Sequence, residues 1–358
     1  MIRVVQLIPN MREGGAERGV ADLTREHRGV AEHVVLGGGG RLAAAVIQHG
    51  GRFLPAPLAS KNPLTVPSRA MHLRRILRAV APDIVHVRSR VPAWLHYFAN
   101  RTLRIPTVST VHGINSVNRY SRVMTFADAV ICPGSAAAAH VRSAYGVANI
   151  HIIPRGVDAD YFNPASARKE TVARLREEWD LADKKVILHV GRLSAQKGHE
   201  VLLHILAKLP REYVAVVAGG GSRRRRLIAL ARRLGVAERA RFVGGRDDMR
   251  EIYALADVAV SCAIKPESFG RSIAEALAMG VPTIAADHGG ARDIIGADER
   301  GGRLVPAGDS AAFAAAIVAP PDASESRARV KARFTAKRMA DETLAVYRQV
   351  LSARDAHP

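Results

Sequence analysis

Two cysteines in 358 residues, an aromatic content of 5% and no long apolar run set the first limits on this chain. Cys132 and Cys262 lie far apart and match no zinc or redox spacing, which excludes a disulfide scaffold and fits a reducing compartment. No stretch approaches the roughly 20 apolar residues of a membrane span. The opening MIRVVQLIPN has only a short apolar run before a polar, glycine-rich loop, so no signal peptide is expected. Carboxylates are also scarce: 33 Asp and Glu stand against 53 Lys and Arg, for a net charge of +20. A protein this basic usually meets something anionic: nucleic acid, a membrane surface or a phosphorylated substrate. Residues 1–166 hold 20 basic and 9 acidic side chains, so the excess is spread over both halves. There is no basic tail of the kind that marks a disordered nucleic-acid arm. An Ala- and Arg-rich genome composition is the plainer alternative source of the charge.

What is present is a folded α/β pattern, with 48% hydrophobic and 24% charged residues. Short apolar runs at 2–8, 32–37, 83–87, 106–111, 128–132 and 149–153 alternate with helix-period segments such as 16–27, 66–81 and 136–146. The alternation repeats with runs at 185–190, 214–218, 239–243, 257–262, 282–286 and 302–306. Runs apolar on both faces and separated by helices predict parallel, doubly wound sheets. The pattern occurs twice, so two domains are expected, with a hinge near PRGVDADYFNPASARKE (154–170). In such sheets ligands bind beyond the carboxyl ends of the strands, which directs attention to the loops there.

The loop after the first strand, IPNMREGGAERG (8–19), places Gly14 and Gly15 before a helix starting near Ala16. Paired glycines allow close approach of a ligand, and a helix N-terminus offers N–H groups to an anion. The spacing is neither GxGxxG nor a Walker loop, since Val20 follows Gly19 where Lys is needed. A plain tight turn, with Glu17 favouring the first helical turn, is the alternative. In HVGRLSAQKGHE (189–200), Arg192 and Lys197 flank a loop entering a helix, a pairing suited to a diphosphate. In KPESFGRSIAEALAMG (265–280), Glu267 precedes a helix entered through Ser268, Phe269 and Gly270, and Glu275 follows eight residues later. The two carboxylates would stand about 12 Å apart if the segment were helical throughout. That matches the span from a sugar to the ribose of a nucleotide sugar, and carboxylates accept from hydroxyls. His112 and Gly113 end a first-half strand in TVSTVHGIN (107–115). Asp158 and Asp160 spell a DxD metal motif, but they fall in the hinge and no metal is expected there. The basic run 223–226, followed by Arg232 and Arg233, reads as a solvated helix face.

Together these residues resemble the retaining GT-B glycosyltransferases of family four, of the bacterial lipopolysaccharide-core type. The resemblance rests on GGAE (14–17), HG (112–113), PRGVD (154–158), GRLSAQKG (191–198) and ESFGRSIAEALAMGVPTIA (267–285). It implies two Rossmann-like domains whose parallel sheets face a central cleft that closes on binding. Residues 1–160 would bind the acceptor and 161–335 the nucleotide sugar, while 336–358 forms a C-terminal helix able to cross back to the first domain. By resemblance, Arg192 and Lys197 hold the donor diphosphate, Glu275 the ribose and Glu267 the transferred sugar. Backbone around Ser268, Phe269 and Gly270 meets the phosphates and sugar. Gly15 approaches the phosphates from the acceptor side, and His112 lies at the reaction centre. The family further implies retention of anomeric configuration, no metal and no cofactor beyond a UDP- or GDP-sugar donor. Arg155 stands where Asn is frequent in the family, a departure that touches nothing catalytic on this reading.

Arg41, Arg52, Lys61, Arg88, Arg90, Arg119 and Arg122 lie in the acceptor-side loops and suit an anionic glycolipid at a membrane face. The expected enzyme thus moves a sugar to lipopolysaccharide core or a similar lipid-linked glycan. It would work in the cytoplasm, on the inner face of the cytoplasmic membrane. A nucleotide-sugar epimerase or hydrolase of the same fold is the alternative. Nucleic-acid binding, resting on charge alone, is the remote one, because aromatic stacking residues are few and no recognised module is present.

Overall fold

The computed structural model describes residues 1–12, 14–299 and 301–355. Seven strands form the first sheet: β1 (Ile2–Asn10), β2 (Ala31–Gly38), β3 (Arg52–Pro55), β4 (Ile84–Val87), β5 (Thr107–Thr110), β6 (Ala129–Cys132) and β7 (Ile150–Ile152). All pairings are parallel, in the order β3-β2-β1-β4-β5-β6-β7. The second sheet holds β8 (Lys185–Val190), β9 (Tyr213–Ala218), β10 (Ala240–Gly244), β11 (Val258–Ser261), β12 (Thr283–Ala286) and β13 (Arg303–Val305). It too is parallel, in the order β10-β9-β8-β11-β12-β13. Both sheets are therefore doubly wound, as the two-sided apolar runs predict. β4, β5, β6 and β12 are buried along their whole length, because helices cover both faces. The sequence reading missed β3: its RFLP run is a short, half-exposed edge ending in proline, which lacks the apolar signal of an inner strand.

The chain divides into two compact units, Met1–Gly156 with Ala336–Pro358, and Val157–Thr335. The second unit is closed where it begins and ends. Val157 is fully buried, its N–H donates to Phe334 O (2.8 Å), and it forms a parallel bridge to Thr335. The C-terminal helix Ala336–Asp355 belongs to the first unit. Its Ala340, Leu344, Tyr347 and Val350 share one core with Val4, Leu23, Ile84 and Val108. A leucine or valine side chain taken fully out of water contributes about 1.5–3 kcal/mol. That fixes the helix to the sheet despite its distance in sequence. Among the described residues no helix is long and apolar enough to cross a membrane.

In each sheet the strand order reverses once, between β1 and β4 in the first and between β8 and β11 in the second. At such a point the two neighbouring loops diverge to opposite faces and leave a crevice at the carboxyl ends. The loops carrying Gly15 and Arg88 leave β1 and β4. Those carrying Arg192, Lys197 and Glu267 leave β8 and β11.

Candidate functional site

In the second unit the loops after β8 and β11 meet. Lys197 Nζ pairs with Glu267 Oε1 at 2.5 Å, each side chain about one quarter exposed (27% and 28%). The backbone stitches the two loops together, with Ile264 N–H donating to Gln196 O (2.9 Å). Gly198 (φ +72°) lies against the Cys262 carbonyl, where a Cβ has no room. The loop after β12 supports Glu267 from below. Gly290 N–H donates to Glu267 O (2.8 Å), and a Cβ on Gly289 (φ +58°) would stand 2.5 Å from that oxygen. Lys197 lays its aliphatic stem over Gly191, 3.4–3.6 Å from where a Cβ would stand. Arg192 is exposed, and its side chain makes no hydrogen bond among the described residues. Two cations and one carboxylate thus sit on hydrogen-bonded loops at the switch point, with Arg192 available to a ligand.

The helix Arg271–Ala278 starts only at Arg271, with Gly270 (φ +117°) as its cap. Glu267 therefore lies in the loop, and the helical spacing expected between the two glutamates does not hold. Ser268 is buried, and Phe269 is 2% exposed with its ring 5.8 Å from Phe334 in the core. Only the backbone of Phe269 can face a ligand. Glu275 does have the partners its apolar surroundings demand. Arg271 Nε donates to Oε1 (2.7 Å) and the Tyr253 hydroxyl to Oε2 (3.0 Å). Burial, reinforced by the Glu275 charge, pushes the Tyr253 phenol well above its ordinary pKa and keeps it a donor. Behind the β8 loop, His189 and His199 pack with ring centroids 4.5 Å apart. Burial holds His189 far below the usual range and brings His199 down to about 4, so neither adds charge.

In the first unit Gly15 opens the helix Gly15–Glu26, capped by Gly14 without a side-chain bond. His112 follows β5. The residue that joins them is Arg155, to which the sequence reading gave no part. Its Nη2 donates to His112 Nδ1 (3.0 Å), and its guanidinium occupies the place of a Gly15 Cβ. Burial, then the Arg155 charge, then Arg88, hold the His112 imidazole well below its usual pKa. The ring is neutral, and because Nδ1 accepts, its proton sits on Nε2.

The acceptor-side cations are dispersed. Arg41, Lys61, Arg119 and Arg122 are exposed. Arg52 lies 3.6 Å from Glu32, and Arg90 donates to Ser121 Oγ (3.1 Å) over the Tyr120 ring. Arg88 alone of the seven is buried. Asp158 Oδ1 accepts from the N–H groups of Asp160 (3.3 Å) and Tyr161 (3.0 Å), a turn-capping role. In the basic run 223–226, Arg223 and Arg226 pair with Glu200 at 2.7 and 3.2 Å.

Residues 13–161 match the family described as Glycosyltransferase Family 4, and residues 172–334 match Glycosyl transferases group 1. A D-inositol 3-phosphate glycosyltransferase of Xylanimonas cellulosilytica is 32% identical over 76% of this chain and 73% of its own. A GDP-mannose-dependent alpha-mannosyltransferase of Mycobacterium tuberculosis is 33% identical over 71% of this chain and 67% of its own. Among solved structures, a glycosyltransferase from Rickettsia africae superposes with a TM-score of 0.87 at 26% identity, covering 98% of both chains.

Proposed function

The chain belongs to the group 1 glycosyl transferases of family four, with the GT-B architecture of two Rossmann-like domains. From that premise we propose that it transfers a sugar, with retention of configuration and without a metal, from a UDP- or GDP-sugar to an anionic, lipid-linked glycan. The second unit (Val157–Thr335) is the donor domain and the first is the acceptor domain. The observation that carries this reading is the Lys197–Glu267 pair at the β8/β11 switch point, with Arg192 exposed beside it.

On this reading Arg192 and Lys197 receive the diphosphate. Lys197 then shares its charge between Glu267 and a phosphoryl oxygen. As the sugar–phosphate bond breaks, positive charge develops on the sugar ring and negative charge on the leaving phosphate. The two cations and the N-terminus of the Arg271–Ala278 helix oppose that negative charge in place of a metal. Glu267 accepts from hydroxyls of the sugar. Glu275, oriented by Arg271 and Tyr253, accepts from the ribose. Backbone at Ser268, Phe269 and Gly270 meets the phosphates. Neutral His112 serves as a hydrogen-bond donor through Nε2. An uncharged donor can bind a hydroxyl without adding positive charge. The name of one relative specifies D-inositol 3-phosphate, itself an anion, which supports an anionic acceptor. The net charge of +20 supports placement at the inner face of the cytoplasmic membrane.

The test is incubation with a panel of radiolabelled UDP- and GDP-sugars and anionic bacterial lipid extract. Label moving into the lipid phase is the expected result. Free sugar or an epimerised nucleotide sugar instead would point to the hydrolase or epimerase alternative. Flotation with anionic vesicles at physiological salt tests the membrane placement, and failure to float would remove it.

A further inference from the structure

Arg88 leaves β4 at the switch point of the first sheet and is 7% exposed, yet no carboxylate among the described residues lies within ion-pair distance of it. A buried guanidinium without a counter-charge loses hydration and recovers no ion-pair energy. Burial brings its pKa down to about 10, which still leaves it charged at neutral pH.

Its surroundings are neutral and ordered. Arg88 Nε donates to Gln6 Oε1 (2.9 Å), and Nη2 lies 3.4 Å from His86 Nδ1. Gln6 Nε2 bonds the Tyr347 hydroxyl (3.2 Å) and His33 Nδ1 (3.3 Å). His33 Nε2 meets His27 Nδ1 (2.9 Å), and His27 Nε2 donates to the Ala340 carbonyl (2.8 Å). His86 completes the set, with Nδ1 accepting from Tyr347 (2.6 Å) and Nε2 donating to Thr110 (2.7 Å). The Ala340 carbonyl fixes every tautomer in turn. It takes the His27 proton, so His27 accepts from His33, His33 accepts from Gln6, and Gln6 turns its oxygen to Arg88. The chain of bonds holds the guanidinium in one orientation and supplies no negative charge. Arg88 is also close enough to His112 to lower its pKa, as Arg155 does, so two cations share this end of the sheet.

We propose that Arg88 is the acceptor-selecting residue: a pre-oriented, uncompensated cation on which a phosphate or carboxylate group of the acceptor docks. The inference rests on the glycosyltransferase reading for the word acceptor, but the anion site is tested without turnover. The ligand's negative charge supplies the missing ion pair, and the neutral network spends none of its own. The anionic group can belong to a soluble phosphate ester or to a lipid headgroup.

The experiment compares the parent with Arg88→Gln and Arg88→Lys, all in an Arg192→Ala, Lys197→Met background that removes both donor-side cations. Binding of sn-glycerol 3-phosphate is measured by calorimetry, and binding of phosphatidylglycerol vesicles by flotation against phosphatidylcholine vesicles. Thermal midpoints are read without ligand. The expected result is at least a ten-fold loss of affinity for Arg88→Gln, partial retention by Arg88→Lys, and an unliganded midpoint equal to or above that of the parent. Loss confined to the soluble arm assigns a free phosphate ester, and loss in the vesicle arm a headgroup. A lowered midpoint with anion binding unchanged would make Arg88 structural and overturn the proposal. So would a parent protein that binds neither probe. Nucleotide-sugar binding by the chain with Arg192 and Lys197 intact reports the donor site separately, so failure there removes the enzymatic reading and leaves the anion site standing.

Discussion

Arg155 Nη2 and His112 Nδ1 are 3.0 Å apart, and the same guanidinium fills the space a Gly15 side chain would need. One arginine thus sets the tautomer of a histidine and crowds the open face of a glycine. Arg155→Ala is expected to raise the pKa of His112, since its charge opposes protonation of the ring, and to free the Nδ1 acceptor. An NMR titration of the imidazole signals checks this, and an unchanged His112 titration would contradict it.

The Gly15 contact predicts a coupling. Gly15→Ala should impair turnover in the wild type and cost less in an Arg155→Ala background. The interaction energy expected for residues in contact is about 0.5–3 kcal/mol. A double-mutant cycle on kcat/KM measures it, and strict additivity would show that the two do not communicate.

The Lys197–Glu267 pair is partly exposed, so its loss should change folding stability by only about 1 kcal/mol or less. Its expected effect on chemistry is much larger. Lys197→Met should lower kcat by about 10²–10³, the cost of removing one charge-stabilising donor from a reaction centre. Denaturant unfolding and steady-state kinetics on the same preparation separate the two effects.

Glu275 is expected to matter for folding stability as well as for donor binding. Its truncation to alanine removes the carboxylate to which the buried Tyr253 hydroxyl donates, leaving that hydroxyl only the Ser272 carbonyl at 3.2 Å. A stability loss of about 1–3 kcal/mol is expected by denaturant unfolding. Tyr253→Phe should recover part of that loss in the double variant, because the orphaned hydroxyl goes with it.

The buried histidines give the protein an acid limit. His27, His33, His86 and His112 all have folded-state pKa values below the usual 6.5, with burial the first cause each time. In the unfolded chain they take up protons as pH falls through 6.5, while the folded chain does not. Stability is therefore full above about pH 6.5 and falls as pH drops from there toward the folded values. Each histidine adds at most about 1.4 kcal/mol per pH unit to the slope. Thermal midpoints between pH 7.5 and 5 check the sign, and a midpoint that rises on acidification would contradict it.

Much of the fold was legible because parallel sheets covered on both faces write themselves as apolar runs between helices. The strand after Gly51 escaped because an edge needs no such run. The loops after β8 and β11 could be singled out by glycine and charge, but their ion pair joins residues 197 and 267, and no local pattern encodes it. The same holds for Arg155 and His112, 43 positions apart, and for Gln6 and Tyr347, 341 apart. The carboxylate of Glu275 lies in an otherwise apolar helix and needs a partner, yet nothing local names Tyr253. The helical spacing drawn between Glu267 and Glu275 failed because Gly270 delays the helix until Arg271.

On the proposed function, the second unit holds a nucleotide sugar through Arg192, Lys197, Glu267 and Glu275. The most direct measurement is the thermal midpoint of wild type, Arg192→Ala and Glu275→Gln against UDP- and GDP-sugars, without added metal. A donor at 100 times its Kd should stabilise the wild type by about 2.7 kcal/mol. At least one sugar nucleotide should raise the wild-type midpoint, and both variants should lose most of the response. A wild type that responds to none of them, or variants that respond as it does, would contradict it.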